Sequence, residues 1–392
     1  MKLGAKLRRA AGGAGPRRVE EKGAAIEIRR ALVAAGGGTR RDEALEILMR
    51  GGLRGAEIAT GDERMAASLP LFLDTETTGL GTGPGTLAFL VGLAWIEQGA
   101  VEGSAALRVE QRLMTRFGGE RELLDWVRKT VAERAGTLVT YNGRSYDMPL
   151  LESRTLMQRM RPGIACDLHL DLLHPARALW GGLLPDCRLG TLEARVLGHH
   201  RPLDLPGAEI PAAWLSFVRD GRQDEIETIL AHNREDLVSL AALTALVCGA
   251  FRGMPIGGKA VQGRLGQALL RRRRPDASRR AFERSIELGS EESSVLDGLA
   301  TAYRRLGRVA EEEALLRQWI DAQPPPFDPH PFERLAILLE HRKRSVGEAR
   351  KVTLEALERL SLRRALRGSE DPAVERLGKR LERLNRRCGL NR

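Results

Sequence analysis

The sequence predicts an α/β domain with a mixed sheet covered by helices, followed by an all-α unit built from a helical repeat. Three observations carry this prediction. The stretches LPLFLD and LAFLVGLAWIEQG are apolar runs of strand length, starting at residues 69 and 87. From there to about residue 249, helical and extended patterns alternate, as they do when helices cover a sheet. Beyond residue 251, apolar positions recur at a 34-residue interval.

The first 40 residues are rich in Gly, Ala and Arg and read as a basic, mobile arm. A short helix over roughly 42–50 follows and stops at Gly51-Gly52. The two apolar runs are the first strands, and ALRVEQRLMT is the third. RELLDWVRKTVAERAG places Leu123, Leu124, Val127 and Val131 on one helical face and ends at Gly136. TLVTYNG returns as a strand, and a helix begins from Ser145 onward. CDLHLDLLH is a short extended piece before a mainly helical stretch to Cys248. In the C-terminal part, Leu265, Leu269 and Phe282 recur as Leu299, Tyr303 and Leu316. Gly266 matches Ala300, and Ser290 matches Pro324. This is the spacing of tetratricopeptide (TPR) repeats, two helices per unit. A third, irregular copy spans LAILLEHRKRSVGEARKVTLEALERL. DPAVERLGKRLERL, with Val374, Leu377, Leu381 and Leu384 in register, reads as a capping helix. The expected domains are therefore 1–68, a basic arm with one short helix; 69–250, the α/β domain; and 251–392, the TPR-like domain.

At 392 residues and 42% hydrophobic content the chain is long and apolar enough for two or three globular domains. No apolar run has the length of a membrane span, and the N-terminus lacks the apolar core of a secretory signal. Four cysteines (Cys166, Cys187, Cys248, Cys388) without a CxxC pair argue against a disulfide framework or a zinc ribbon and suit a reducing cytoplasm. The net charge of +11 is unevenly spread. Residues 1–69 carry 14 Lys+Arg against 9 Asp+Glu, residues 70–250 carry 18 against 23, and residues 251–392 carry 31 against 20. An acidic middle between basic flanks suits an enzyme that holds cations and acts on a polyanion, nucleic acid above all.

Three elements carry chemistry. Asp74 and Glu76, two apart at the end of a strand, leave it on the same face. Paired carboxylates of this kind suit Mg²⁺ or Mn²⁺. TYNGRSYDMPLL runs a strand into Asn142-Gly143 and puts Asp147 in the first turn of the next helix, where a helix-dipole partner is the alternative reading. In AHNREDLVSLAAL, His232 and Asp236 share one helical face at i and i+4, where a local ion pair is the alternative.

Taken in order, Asp74-x-Glu76, Asn142-Gly143 with Asp147, and His232-x-x-x-Asp236 resemble the DEDD exonucleases of the ribonuclease H-like superfamily. They are similar in particular to the bacterial ribonuclease H-like proteins that carry C-terminal TPR repeats. The resemblance extends over roughly 69–248, through FLDTETTGL, AFLVGLAW, YNGRSYDMPLL, LDLLHPARALW, CRLGTLEARVLG and HNREDLVSLAAL. It implies a mixed five-stranded sheet flanked by helices. It also implies two Mg²⁺ or Mn²⁺ ions held by Asp74, Glu76, Asp147 and Asp236, His232 as general base, and 3′→5′ hydrolysis of DNA or RNA phosphodiesters. One departure stands out: the DEDD histidine usually sits five residues before the last aspartate and a tyrosine four before, whereas His232 occupies the tyrosine spacing.

Thr77 and Asn142, beside the carboxylates, are candidate contacts for substrate. Asp171, alternating with His169 and Asp167 in DLHLD, is a candidate supporting residue behind the metal ligands or a competitor of Asp147 as a ligand. A zinc site from Cys166, His169, His174 and Cys187 has unfavourable spacing. The expected partners are nucleic acid and a protein at the TPR-like domain, with no membrane and no nucleotide cofactor. A catalytically weak nucleic-acid-binding scaffold that uses the repeats to hold a protein is the rival reading.

Overall fold

PLFLDTET forms an interior strand, β3 (Pro70–Thr77): its first four residues are buried, and its last four emerge half-buried at the sheet's end. A computed structural model of the chain describes residues 17–19, 26–33, 38–98 except 80, 82 and 84, 105–201, 205–322 except 224, 327–367 and 372–390. The chain divides into two units, Met1–Ile256 and Gly257–Arg392.

In the first unit, β1 (Arg17–Val19), β2 (Ile26–Val33), β3, β4 (Ala88–Gln98), β5 (Ala105–Met114), β6 (Thr137–Thr140) and β7 (His169–Asp171) form one sheet in the order β1-β2-β5-β4-β3-β6-β7. The pairs from β1 through β5 and β4 to β3 are antiparallel, and β3–β6 and β6–β7 are parallel, so the sheet is mixed, as expected. It has seven strands rather than five because β1 and β2 extend its edge. Residues 26–33 lay inside the expected arm, yet they pair along their whole length with β5, from Ile26↔Met114 to Val33↔Leu107. The Arg29-Arg30 pair that hid this strand is neutralised within the fold: Arg29 reaches Glu227 at 2.7 Å and Arg30 reaches Glu110 at 2.9 Å. Residues 1–16 and 20–25 of the expected arm lie outside the described residues.

The helices follow from their buried stripes. α1 (Arg40–Gly51) starts at a Thr39/Asp42 capping box and buries Ala44, Leu45 and Leu48. It is followed by the short α2 (Ala56–Thr60). α3 (Glu120–Arg134) buries Leu123, Leu124, Val127 and Val131, the face read from the sequence. α4 (Asp147–Met157) is held to α3 by the buried pair Arg154–Glu120, with Nη2 2.7 Å from Oε2. α5 (Leu173–Trp180) takes over the end of CDLHLDLLH, where only three residues remain extended. α6 (Leu189–Leu192) runs into a π-helical turn over Glu193–Leu197 that ends at left-handed Gly198. α7 (Ile210–Asp220) stacks Trp214 on Phe89 of β4 at 4.6 Å between ring centroids. α8 (Ile226–Phe251), 26 residues long and buried along most of its length, packs on α1, β3, β4 and β5.

The second unit, among the described residues, is α9 (Lys259–Arg271), α10 (Pro275–Glu287), α11 (Ser293–Leu306), α12 (Val309–Asp321), α13 (His330–His341), α14 (Val346–Arg367) and α15 (Pro372–Arg387). The starts of α9 and α10, residues 259 and 275, recur 34 residues later as the starts of α11 and α12, residues 293 and 309. The next pair starts at 330 and 346, a step of 37. Phe282, fully buried, wedges between α9 and α11. A Cβ on Gly266 or Gly298 would come within 2.6 or 2.3 Å of its ring, which is why small residues stand at this crossing. Pro324 lies outside the described residues. In α15, Ala373 replaces Val374 in the buried stripe beside Leu377 and Leu384, and Val374 is exposed.

Candidate metal centre

Strand, helix and helix deliver the acidic residues to one place. Asp74 and Glu76 leave β3 on one face, Asp147 opens α4, and α8 carries His232, Asn233 and Asp236. His232 Nε2 lies 3.3 Å from Asp236 Oδ2 and 3.9 Å from Glu76 Oε1. Glu76, His232 and Asp236 present ligand atoms within 4.8 Å of one another. Asp147 accepts a hydrogen bond from the Thr75 hydroxyl. Asp74 Oδ2 accepts one from Asn233 Nδ2 at 2.7 Å.

The electrostatics describe a shared site. Burial and then the neighbouring charges of Asp236, Glu76 and Asp147 push Asp74 well above the usual carboxylate range. Burial pushes Glu76 up to about 8; His232 opposes this, while Asp236 and Asp147 add to it. Burial also lifts Asp147 to about 6, against the hydrogen bond from Thr75. Asp236 goes the other way: burial would raise it, but the hydrogen bond from His232 and the charge of Arg201 hold it below its ordinary value.

Arg201 follows the π-helical turn and was not singled out in the sequence. It donates from Nε to Glu193 Oε2 at 2.7 Å and from Nη2 to Asp236, with Nη1 3.4 Å from His232 Nδ1. A guanidinium only donates, so Nδ1 is the accepting nitrogen and the Nε2 proton points at Asp236. Glu193 also accepts from Ser239 at 2.5 Å, and Glu235 pairs with Arg41 at 2.5 Å and His199 at 3.2 Å. Glu193, His199 and Glu235 converge as a second acidic group, but Arg41 and Arg201 already neutralise it, which makes it a structural ion network.

The other expected site residues have local partners. Thr77 donates to the Gly79 carbonyl at 2.7 Å and lies 2.9 Å from the Tyr146 hydroxyl. Asn142 is exposed and turns the chain with φ 65°. Asp171 faces away from metal-ligand duty: its oxygens take the backbone N–H groups of Asn142, Arg144 and Leu173 at 2.9–3.1 Å. It thereby anchors the loop that leads to Asp147. Of the residues weighed for zinc, His169 bonds the Thr140 hydroxyl at 2.8 Å and Cys166 donates to the Leu168 carbonyl at 3.0 Å. They join no ligand group among the described residues. Gln111, Asn233, Thr75, Tyr146 and Arg201 are the supporting residues the sequence did not point to.

Comparison with known proteins agrees with this geometry. A family model of the ribonuclease H superfamily matches residues 71–248, the span that contains every acidic residue of the centre. The chain belongs to the ribonuclease H superfamily. It is also similar to the uncharacterized protein YprB of Bacillus subtilis (strain 168), 31% identical over 291 residues, which are 73% of this chain and 68% of that protein. Ribonuclease H-like proteins generally hydrolyse phosphodiester bonds with divalent metals, so nucleic acid is the substrate class of the fold. Among the described residues no helix is long and apolar enough to cross a membrane.

Proposed function

We propose that the chain is a metal-dependent 3′→5′ exonuclease of the DEDD type, acting on single-stranded or frayed DNA or RNA ends. The observation that carries this reading is the convergence of Asp74, Glu76, Asp147 and Asp236. Three of these carboxyls hold their protons abnormally tightly in the absence of a cation. Such a set of hard oxygen donors fits Mg²⁺ or Mn²⁺. Asp74, Glu76, Asp147 and Asp236 would hold the ions, which when bound would supply a more acidic water and positive charge for the leaving 3′ oxygen. Asp74 is oriented by Asn233, and Asp147 by Thr75. His232 serves Asp236 as a donor in this arrangement; taking a proton from water requires Arg201 to leave Nδ1.

The test uses oligonucleotides of DNA and RNA, labelled at either end, with Mg²⁺ or Mn²⁺. The expected result is a ladder that shortens from the 3′ end, lost on Asp74→Ala and reduced but present in His232→Asn. Absence of metal-dependent cleavage by the wild type, with binding demonstrated, refutes the reading. The 34-residue step between helix pairs supports a TPR-like C-terminal unit. We read that unit as the place where a protein partner is held, which is also the basis of the scaffold alternative. Cleavage by the full chain that disappears with Asp74→Ala excludes a scaffold without activity.

A further inference from the structure

Three strands place one row of residues side by side beneath α8. Asp74 of β3 pairs with Gly92 of β4, and Gly92 pairs with Gln111 of β5. Directly opposed residues project to the same face of a sheet, so Asp74 and Gln111 flank a position that has no side chain. Asn233 of α8, fully buried, occupies that gap. A Cβ on Gly92 would sit 2.2 Å from Asn233 Oδ1 and 2.6 Å from Leu237 Cδ1, so only glycine admits the asparagine here. Asn233 Nδ2 donates to Asp74 Oδ2 at 2.7 Å, and Asn233 Oδ1 accepts from Gln111 Nε2 at 2.8 Å. The same Gln111 nitrogen donates to the Leu230 carbonyl at 2.8 Å, which uses both of its hydrogens.

That arrangement has a direction. Because the Gln111 amide must donate to both Leu230 and Asn233, the oxygen of Asn233 has to face Gln111 and its NH₂ has to face Asp74. With Asp74 ionised, as cation binding requires, the flipped amide sets NH₂ against NH₂ and oxygen against carboxylate, two repulsions in a dry interior. We propose that Gln111, acting through Asn233 over Gly92, is a positioning residue for the metal centre. It fixes the polarity of the Asn233 amide, so that Asp74 Oδ2 is permanently donor-bound and Asp74 presents Oδ1 to the cation. The proposal rests on the metal-centre reading given above and adds to it two residues that touch neither cation nor substrate.

The experiment is Mn²⁺ titration of the metal-free full-length protein by calorimetry, for wild type, Gln111→Glu, Gln111→Leu and Gly92→Ala, with far-UV circular dichroism as the check on folding. Gln111→Glu turns an acceptor toward Asn233 and inverts its amide; its Mn²⁺ affinity falls by about tenfold or more, the scale set by partners that orient metal ligands. Gln111→Leu removes the lock without inverting it and falls between wild type and Gln111→Glu. Gly92→Ala displaces Asn233 and behaves like Gln111→Glu. In nuclease assays kcat drops while KM for the oligonucleotide stays level, a split that a loss of stability alone does not produce. A folded Gln111→Glu protein with Mn²⁺ affinity within about twofold of wild type, well short of that scale, overturns the proposal and leaves the metal-centre reading standing. Should Gln111→Glu not fold, Gln111→Met, close in shape and without the donor, decides by the same threshold. A wild type that binds no Mn²⁺ overturns the metal-centre reading, and this proposal with it.

Discussion

Loading the metal-free protein with Mn²⁺ at pH 7 is expected to expel at least about one proton, and the structure sets that floor. Burial, opposed by His232 and reinforced by Asp236 and Asp147, holds Glu76 at about 8. A carboxyl with that value is roughly 90% protonated at pH 7, and one at about 6, the value for Asp147, is roughly 10% protonated. Coordination requires the ionised form, so these two groups together release about one proton per site filled. Asp74, also raised by burial, adds to the count, and Asp236, already held low, adds nothing. Calorimetric titration in two buffers of different ionisation heat reads the number directly, as the slope of observed heat against buffer heat. At pH 9 the Glu76 contribution shrinks to roughly 0.1, and Glu76→Gln removes it at pH 7. Mn²⁺ binding at pH 7 without any buffer dependence refutes the reasoning, because Glu76 would then already be ionised. The same shift gives a stability slope. Glu76 is raised from 4.5, so the stability it contributes is complete below about pH 4.5 and is lost as pH rises through about 8. The metal-free protein therefore becomes easier to denature across that window, and saturating Mn²⁺ flattens the slope.

Arg201→Ala removes the shared partner of Glu193 and Asp236, both of them nearly buried, and is expected to cost about 3–5 kcal/mol in equilibrium unfolding, with Arg201→Lys recovering only part; a loss under about 1 kcal/mol contradicts this. In the C-terminal unit, Phe282→Ala empties the wedge between Gly266 and Gly298 and should cost about 3–5 kcal/mol, read by scanning calorimetry of the full chain. His330 is raised by its hydrogen bond to Asp297, while that bond, against burial, holds Asp297 at about 2. The Asp297 contribution is thus present above about pH 3.8 and lost as pH falls through 2, and the His330 contribution is present below about pH 6.5 and lost as pH rises past its raised value. Both side chains are half-exposed, so the pair contributes at most about 1 kcal/mol. Titration of the His330 ring by NMR gives a midpoint above the ordinary imidazole range, and Asp297→Asn brings it down.

The acidic residues of the centre were legible because their positions are local facts: two carboxylates at i and i+2 ending a strand, one in the first turn of a helix, one a helical turn from a histidine. Their supports were not, because each lies far along the chain. Asn233 is 159 residues from Asp74, and Gln111 is 122 from Asn233. Only the sheet register brings the three together. One cue was present and passed over: Gly92 interrupts an otherwise apolar strand, and such a glycine marks a close approach. β2 was hidden for a related reason. Arg29 and Arg30 look like solvent-facing charge until Glu227 and Glu110, 198 and 80 residues away, are seen to pair with them. For Asp171 the sequence left two readings open, a support behind the ligands or a competitor of Asp147, and only the fold shows its oxygens taken by the backbone N–H groups of the loop that leads to Asp147.

The compensation of charge in the centre is lopsided, and that asymmetry bears on where a cation is needed. Asp236 has a guanidinium and an imidazole N–H turned toward it and is held low. Asp74 and Asp147 receive only neutral donors and Glu76 only the more distant charges of His232 and Arg201, and all three are raised. Protons substitute for the missing positive charge on that side. On the metal-centre reading proposed above, a cation's charge is therefore needed most by the carboxyls at the mouth of β3 and the start of α4, while Asp236 on α8 is already paired with Arg201. α8 serves both sides from successive residues: Asn233 turns into the sheet toward Asp74, Glu235 joins the Arg41 network, and His232 and Asp236 face the carboxylates. A helix buried along most of its length can hold these directions rigidly, which is what a site that must keep like charges together requires.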